Sequence, residues 1–363
     1  MSSMDQRGMA VFADRNTPLI RNCWYVAALA EEVGRSMTSR TILETRVLLF
    51  RTLAGNVVAL HDRCPHRSYP LSRGVLEGDE VTCGYHGMRF GADGRCTSIP
   101  ANETATPEKV SVARFPVEER GPLLWIWMGD ADKAEPELIP SYDWMSSPDW
   151  VHTTNSFEIN ASYVALHENL LDLTHFTYLH PTTVGTPEYA ASPLEVIHDE
   201  RGIGVFRKLL DQAPPPAFAG AMDLVGRRVN RFSESIFVTP AANTTRAWFE
   251  NPAPKPGERD TFHLRLAHFA TPISRSKFVY RWFAARNFAL DNENVSVGIS
   301  RATDTAFQED LGALQAIQDT LDIESGAFRE YSFASDKPGL EMRRLIARLA
   351  KAEAADSPSD ASK

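Results

Sequence analysis

The chain has 363 residues, 43% hydrophobic and 23% charged, with a formal net charge of -9. That length suggests roughly two domains and allows cores that need no disulfide framework, while the acidic balance argues against a nucleic-acid surface, which carries a basic patch. No apolar run approaches the roughly 20 residues of a spanning helix, and the opening stretch MSSMDQRGMAVFADRNTPLI lacks a basic segment followed by a long apolar one. A cytoplasmic, reducing setting is expected, in which Cys23, Cys64, Cys83 and Cys96 serve as thiols or metal ligands rather than bridges.

Residues 1–20 are expected to form a loose arm. From Asn22 short β-like runs follow: NCWYVAAL, TILETRVLLF, NVVALHD, VTCGYHGMRF and GPLLWIWMG. Val, Ile, Leu and aromatics recur in them at period two, broken by Gly and Asn. The last run is apolar almost throughout, as a strand covered on both sides should be. Residues 21–130 therefore read as a small all-β domain, and the Pro- and Asp-rich stretch 131–150 as a connector.

Strand patterning resumes at WVHTTNSFEIN and enters the histidine-rich ALHENLLDLTHFTYLHP, residues 165–181. More strand runs follow: LEVIHDERGIGVFRKLL, RVNRFSESIFV, TTRAWFEN, TFHLRLAHFATPI and KFVYRWFAARNF. A helical pattern occupies Phe307 to Leu321, with Phe307, Leu311, Leu314 and Ile317 on one stripe. A last helix is predicted through GLEMRRLIARLAKAEAA. Residues 151–352 read as a second domain of antiparallel strands and helices, and the small polar tail 353–363 as disordered. The overall class is α+β, with no internal repeat.

Two sets of residues carry chemistry. The first is Cys64-Pro-His66 with Cys83-Gly-Tyr-His86. Each loop offers one sulfur and one nitrogen. Structural zinc sites commonly pair like with like, as C-x2-C with H-x3-5-H. The mixed spacing suits a Rieske [2Fe–2S] centre, where two Cys hold one iron and two His the other. Gly84 and Gly87 would let the backbone pass close to the sulfurs. A zinc-stabilised scaffold is the competing reading.

The second set lies within residues 165–181. His175 and His180 are separated by about 140° on a regular helix, so they would share no helix face. Pro181 disfavours helical geometry at the residue before it. The helix is predicted to stop near Leu179, leaving His180 on a turn that bends back towards His175. Asp172 sits one turn before His175, on the same face. Imidazoles with carboxylates suit a first-row metal that keeps open positions for oxygen and substrate. Ordinary histidines on a half-buried helix would fit the same stretch.

The pair CPHRSYPLSRG…CGYHGMRF, upstream of NLLDLTHFTYLH, resembles the oxygenase (α) subunit of Rieske non-heme iron oxygenases. The closer likeness is to the branch that includes vanillate O-demethylase and dicamba monooxygenase, and it covers roughly residues 20–350. It implies an N-terminal all-β Rieske [2Fe–2S] domain followed by a catalytic domain with an antiparallel sheet and helices, helix-grip-like. It implies Cys64, His66, Cys83 and His86 as cluster ligands, and His175 and His180 as ligands of a mononuclear Fe(II). The family's third ligand is an Asp on a late helix; Asp310 stands at the matching place, with Glu309 as its competitor. Asp172 matches the family's bridging Asp, which would accept a hydrogen bond from a neighbouring subunit's His86 in a head-to-tail homotrimer. Asn169 fits the pattern as a residue near the iron.

Other residues carry less. His268 is open between a hydrogen bond to a polar substrate and the role of a satisfied core histidine. His167, Cys23 and Cys96 are expected to be structural. For Arg246, Arg265 and Arg286, surface or structural roles are the safer expectation over a salt bridge to an anionic substrate. Gly202-Ile-Gly204 is no nucleotide fingerprint. The loops within 181–222 are candidates for a lid.

The chain shows no G-x-G-x-x-G and no second, all-cysteine cluster. Its electrons are therefore expected from a separate reductase, with or without a ferredoxin between. The expected function is that of a terminal oxygenase component acting with O2 on an aromatic substrate, by oxidative O- or N-demethylation. Direct ring or methyl hydroxylation or dioxygenation is the alternative. A Rieske electron carrier without oxygen chemistry is a third reading, against which the His-His-Asp set argues. Neither a nucleic acid nor a membrane is an expected partner.

Overall fold

The computed structural model describes residues 17–100, 106–324, 328 and 330–356. Most of the expected arm and residues 357–363 of the expected tail lie outside these residues, whereas 353–356, expected to be disordered, continue the last helix. The chain divides into two units, Arg21–Ser141 with Thr271–Ser274, and residues 17–20 with Tyr142–Ala270 and Arg275 onward.

The first unit is built from short strands: β1 (Trp24–Leu29), β2 (Thr38–Ile42), β3 (Thr45–Arg51), β4 (Val57–His61), β5 (Val75–Glu77), β6 (Glu80–Thr82), β7 (Arg89–Phe90), β8 (Cys96–Ser98), β9 (Val117–Arg120) and β10 (Leu123–Trp127). They form three antiparallel sheets, ordered β1-β10-β9, β2-β3-β4 and β5-β6-β7-β8. Every residue of β10 is buried, as its apolar run requires. TILETRVLLF, expected as one strand, is a hairpin instead. Leu43 and Glu44 take φ of 49° and 61° and make the two-residue turn between β2 and β3; a turn with both central residues at positive φ matches strand twist, and nothing in Leu-Glu announces it. VTCGYHGMRF likewise splits into β6 and β7 around a loop.

The second unit contains β11 (Val151–Ile159), β12 (Leu194–Asp199), β13 (Gly202–Gln212), β14 (Val229–Thr239), β15 (Ala242–Glu250), β16 (Thr261–Ser274) and β17 (Lys277–Arg286). These make one seven-stranded sheet in the order β11-β17-β16-β15-β14-β13-β12. β12 to β17 form a meander, and β11 joins its far edge beside β17. The helices are α1 (Tyr163–Asp172), α2 (Phe176–Leu179), α3 (Pro216–Ala219), α4 (Glu293–Ile323) and α5 (Lys337–Asp356). Val229, Phe249, Phe262 and Leu264 of the sheet share a core with Ile299 of α4.

Three expectations need correction. Residues 165–181 are not one helix: α1 ends at Asp172, Leu173 adopts a left-handed φ of 54°, and α2 begins at Phe176. The stop at Leu179 holds, as Pro181 requires. The late helix begins at Glu293 rather than Phe307, because Asn292 caps it by accepting from the Val295 N–H at 3.3 Å. Its apolar stripe is shorter than expected, since Ile317 is 50% exposed while Phe307, Leu311 and Leu314 are buried. Finally, the described end of the expected arm is tied down. The Thr17 hydroxyl meets that of Ser162 at 3.0 Å, and the Tyr163 hydroxyl donates to the Pro18 carbonyl at 2.8 Å. No described helix is long and apolar enough to cross a membrane.

Candidate metal centres

Two loops of the first unit share one backbone geometry. The Cys64 N–H donates to the Tyr69 carbonyl at 2.9 Å, and the Ser68 N–H donates to the Cys64 carbonyl at 2.9 Å. In the other loop the Cys83 N–H donates to the Met88 carbonyl at 2.8 Å, and the Gly87 N–H to the Cys83 carbonyl at 3.0 Å. The turn needs a positive φ at its fourth position after Cys, supplied by Ser68 at 57° and Gly87 at 73°. Glycine reaches that region without steric cost. Gly84 has a different reason: a Cβ there would stand 3.0 Å from the Arg73 carbonyl oxygen. Its bareness serves the approach of another backbone segment.

Cys64 and Cys83 are each only 2% exposed and are not joined in a disulfide. His66 is exposed and His86 half-buried, with their rings 4.5 Å apart. Burial, reinforced by the neighbouring Cys83 sulfur against a backbone N–H of His66, pushes the Cys64 thiol up. Two buried thiols with two imidazoles nearer the surface fit the donor set of a Rieske [2Fe–2S] cluster, which these four residues would hold.

In the second unit, the break at Leu173 does what one continuous helix would not. It turns the chain so that His175 and His180 flank the single turn of α2, with ring centroids 5.2 Å apart. Asp310, on α4, is 4% exposed. Its Oδ1 lies 3.0 Å from His180 Nε2 and 3.3 Å from His175 Nε2. One donor atom from each of the three residues falls within 4.8 Å of the others. Asn169 Nδ2 donates to the same Asp310 oxygen at 2.9 Å. His175 Nε2 is buried without an aligned hydrogen bond, and so is Asn169 Oδ1. A buried polar atom left this way is costly. A divalent cation facing both Nε2 atoms and the carboxylate removes that cost, so these residues fit a mononuclear metal.

Each imidazole meets another carboxylate through its other nitrogen. His180 Nδ1 donates to Glu309 Oε2 at 2.7 Å. His175 Nδ1 lies 3.4 Å from Asp172 Oδ2, which also accepts the His175 backbone N–H at 3.3 Å. Such partners select the tautomer that leaves the Nε2 lone pair free for a metal. The structure thus brings Asp310, and not Glu309, to the two Nε2 atoms. Burial opposes charge on His175, but Asp172 and Asp310 outweigh it and raise its pKa to about 9. Against the same opposition, His175 and His180 hold the Asp310 carboxyl well below the usual carboxylate range.

The donors open onto a cavity of about 70 Å³ lined by Leu173, Phe176, Leu264 and Phe307 among other apolar residues. Val184 and Phe218, from the stretch expected as a lid, form part of its wall. A second, more open cavity of about 570 Å³ also reaches Asn169, Asp172 and His175.

His268 lines the narrower cavity. Its Nδ1 meets the Tyr280 hydroxyl at 2.7 Å and its Nε2 the Thr245 hydroxyl at 3.1 Å. Burial pushes its pKa down to about 3, so the ring is neutral. His167 is fully buried and bonds Asn243 and, at 2.9 Å, the Pro240 carbonyl. Cys23 and Cys96 are buried thiols. Gly202 and Gly204 open β13 in a hairpin with β12.

The three arginines flagged in the sequence do not reach the cavity. Arg246 lies 3.9 Å from Glu234, Arg265 stacks 4.6 Å over Trp150, and Arg286 donates to the Ala289 and Asn292 carbonyls at 2.8 and 3.2 Å. Arg231, which sequence reasoning passed over, does line it. The signal was period-two alternation in VNRFSES, which places Arg231, Ser233 and Ser235 on one strand face.

Residues 23–116 match the family described as Rieske [2Fe–2S] domain, and residues 159–352 that described as vanillate O-demethylase oxygenase C-terminal domain. The chain is similar to a toluene-4-sulfonate monooxygenase system iron–sulfur subunit of Comamonas testosteroni, 36% identical over 352 residues, 92% of this chain and 98% of that protein. It is 31% identical to the oxygenase component of dicamba O-demethylase from Stenotrophomonas maltophilia, across 93% of this chain and 99% of that one. Among solved structures, dicamba monooxygenase bound to 3,6 dichlorosalicylic acid superposes with a TM-score of 0.85 at 30% identity, covering 93% and 99% of the two chains. The same enzyme with non-heme iron and dicamba gives 0.78 at 30% identity over 93% and 98%.

Proposed function

Because the chain belongs to the Rieske non-heme iron oxygenases, as an oxygenase component of the vanillate O-demethylase branch, we propose that it oxidises an aromatic ether or amine at its methyl carbon. Its cofactors are a Rieske [2Fe–2S] cluster and a mononuclear non-heme iron. A separate reductase supplies the electrons. When bound, the cluster passes single electrons and the iron activates O2. In the net reaction one oxygen atom enters the methyl carbon and the other leaves as water, with two electrons and two protons from outside. The resulting hemiacetal or hemiaminal collapses to formaldehyde and the demethylated product.

In this reading the buried Cys64 and Cys83 would hold one iron of the cluster, and His66 and His86 the other. His175, His180 and Asp310 hold the mononuclear iron. Asp172 and Glu309 orient the two imidazoles, and Asn169 steadies Asp310. The apolar wall excludes water and receives the aromatic ring. A cavity of about 70 Å³ is smaller than the ~150 Å³ that holds a benzene. A substituted ring therefore requires the cavity to widen. Protomers assemble head to tail as a homotrimer, bringing one protomer's His86 to the Asp172 carboxylate of the next. Cys23 and Cys96, buried and unbridged, suit a reducing cytoplasm.

The observation that carries this proposal is the meeting of His175, His180 and Asp310 at the wall of an apolar cavity. A second reading, hydroxylation of a methyl group or ring, is favoured by the relative named for toluene-4-sulfonate, a compound with no ether or amine. The test supplies the iron-loaded protein with a compatible reductase, NADH, O2 and a panel of methoxy- and N-methyl aromatics. Stoichiometric formaldehyde supports demethylation. Hydroxylated products without formaldehyde transfer the case to the second reading.

A further inference from the structure

Arg231 is 2% exposed and lines the cavity that the iron donors share. A guanidinium carries five N–H donors. Among the described residues, one carbonyl answers them: Nη1 donates to Val184 O at 2.9 Å. Nε is buried with no acceptor, and no carboxylate pairs with the charge. The other buried guanidinium beside α2, that of Arg207, also leaves its Nε without an acceptor, but both of its terminal nitrogens are answered. Arg207 donates to the Ser192 carbonyl at 2.7 Å, the Thr174 hydroxyl at 2.7 Å and the Tyr189 carbonyl at 3.2 Å.

Aromatic faces offset part of the deficit. The Arg231 guanidinium carbon lies 4.3 Å from the Tyr189 ring centroid and 6.0 Å from that of Phe176. Such contacts recover only part of what a buried, unpaired charge costs. Burial accordingly lowers the arginine's pKa. Ser233, two residues along the same face of β14, is also buried, and its hydroxyl has no partner. It too lines the cavity. The Phe176 ring ties this polar corner to the iron donors, with its centroid 5.1 Å from the His175 ring and 5.6 Å from the His180 ring.

We propose that Arg231, with Ser233, is the specificity-determining anchor for an anionic group on the aromatic substrate, a carboxylate or sulfonate held by the guanidinium fork. This rests on the oxygenase reading above and deepens it by naming the charge of the substrate. A planar fork matches two oxygens of an oxyanion, while the apolar wall takes the ring. The anion supplies the counter-charge that the protein leaves out. A neutral ring would leave both Arg231 and Ser233 unsatisfied, which is how a buried polar site rejects the wrong ligand.

The test is anaerobic calorimetric titration of the iron-loaded full chain, without reductase, so that nothing turns over. The probes are para-methoxybenzoate and para-methoxybenzenesulfonate, each against its neutral amide. The wild type is expected to bind at least one anion tenfold or more tighter than its amide, and the two anions distinguish carboxylate from sulfonate. Arg231→Gln should abolish that preference, by weakening the anions, by relieving the penalty on the amides, or both, and Arg231→Lys should keep part of it. Should the Gln variant lose its cluster absorption through misfolding, Arg231→Lys and Ser233→Ala carry the test, each expected to weaken the anions selectively. Equal binding of anion and amide by the wild type, binding of none of the four, or equal losses on both classes in the variants would each overturn the proposal. Anion-selective binding followed by hydroxylation without formaldehyde would leave the anchor standing and remove demethylation. Formaldehyde from the neutral ethers, with no anion preference, would do the reverse.

Discussion

At the scale of single residues, the iron site is a matter of which nitrogen faces which carboxylate. Glu309 and Asp310 are neighbours on α4, yet they do different work. Asp310 meets the Nε2 atoms of both histidines, while Glu309 accepts a hydrogen bond from His180 Nδ1 at 2.7 Å. Partners of that kind are typically worth ~10–100-fold in metal affinity. Glu309→Ala is therefore expected to weaken Fe(II) binding at the mononuclear site by about that factor. Iron analysis after gel filtration should fall from about three irons per chain towards the two of the cluster, with the cluster's visible spectrum unchanged. Full iron retention at low free Fe(II) would assign Glu309 a merely solvated role. In the sequence Asp310 stood at the place the resemblance implies, but Glu309, its neighbour in FQEDLG, remained a competitor. Helix rotation separates them, and only the packed helix has a defined rotation.

At the scale of elements, two loops and one helix illustrate how local geometry supports the sites. The cysteine loops repeat one hydrogen-bonded turn, with positive φ at Ser68 and Gly87. A left-handed residue other than Gly costs roughly 1–2 kcal/mol, most for β-branched side chains. Gly87→Val is thus expected to lower the temperature at which the cluster absorption is lost, while Ser68→Gly should leave it unchanged or raise it. A Gly87→Val protein as robust as wild type would show that the turn is not needed.

On α1, His167 is buried between Asn243 and the Pro240 carbonyl, and burial pushes its pKa to about 4, with the two hydrogen bonds working against the shift. The unfolded chain takes up this proton near pH 6.5. Between pH 6.5 and 4 the unfolded state therefore binds more protons than the folded one. Stability from this group is full above pH 6.5 and is lost as pH falls towards 4, by about 3 kcal/mol. Urea unfolding followed by tryptophan fluorescence should show that acid-side decline, shallower in His167→Gln. An identical pH slope in the two proteins would remove His167 as its source.

At the scale of the whole molecule, the proposed head-to-tail assembly makes electron transfer a property of two protomers. A Cys83→Ser chain, unable to hold the cluster, and a His175→Ala chain, unable to hold the mononuclear iron, should each be inactive with reductase and O2. Co-refolded or co-expressed, they are expected to regain activity. Mixed assemblies would pair an intact cluster with an intact iron site across the boundary. Inactivity of mixed assemblies, verified by mass to contain both chains, would place transfer within one protomer. The seven-stranded sheet carries the catalytic unit's side of this scheme. Its inward faces supply His268, Thr245, Ser233 and Arg231 to the cavity wall, opposite residues from α1, α2 and α4.

The amino-acid sequence by itself determined which candidate donors short spacing brings together. Cys64-x-His66, Cys83-x-x-His86 and Asp172-x-x-His175-x4-His180 were readable because each places its donors within one turn or loop, where covalent geometry limits what the chain can do. The strand-rich first unit and the antiparallel second one were readable from period-two alternation, which survives any tertiary arrangement. Tertiary structure decided whatever depends on rotation about an element or on pairing across the fold. Leu173 breaks the histidine helix because its side chain is 2% exposed in the core, and burial of that kind outweighs the cost of a left-handed leucine. Asp310 reaches His180 across 130 residues of chain, and Arg231 faces the cavity because β14 presents one of its two faces to it. A strand's alternation says that two faces exist; only packing says which one is lined by a substrate.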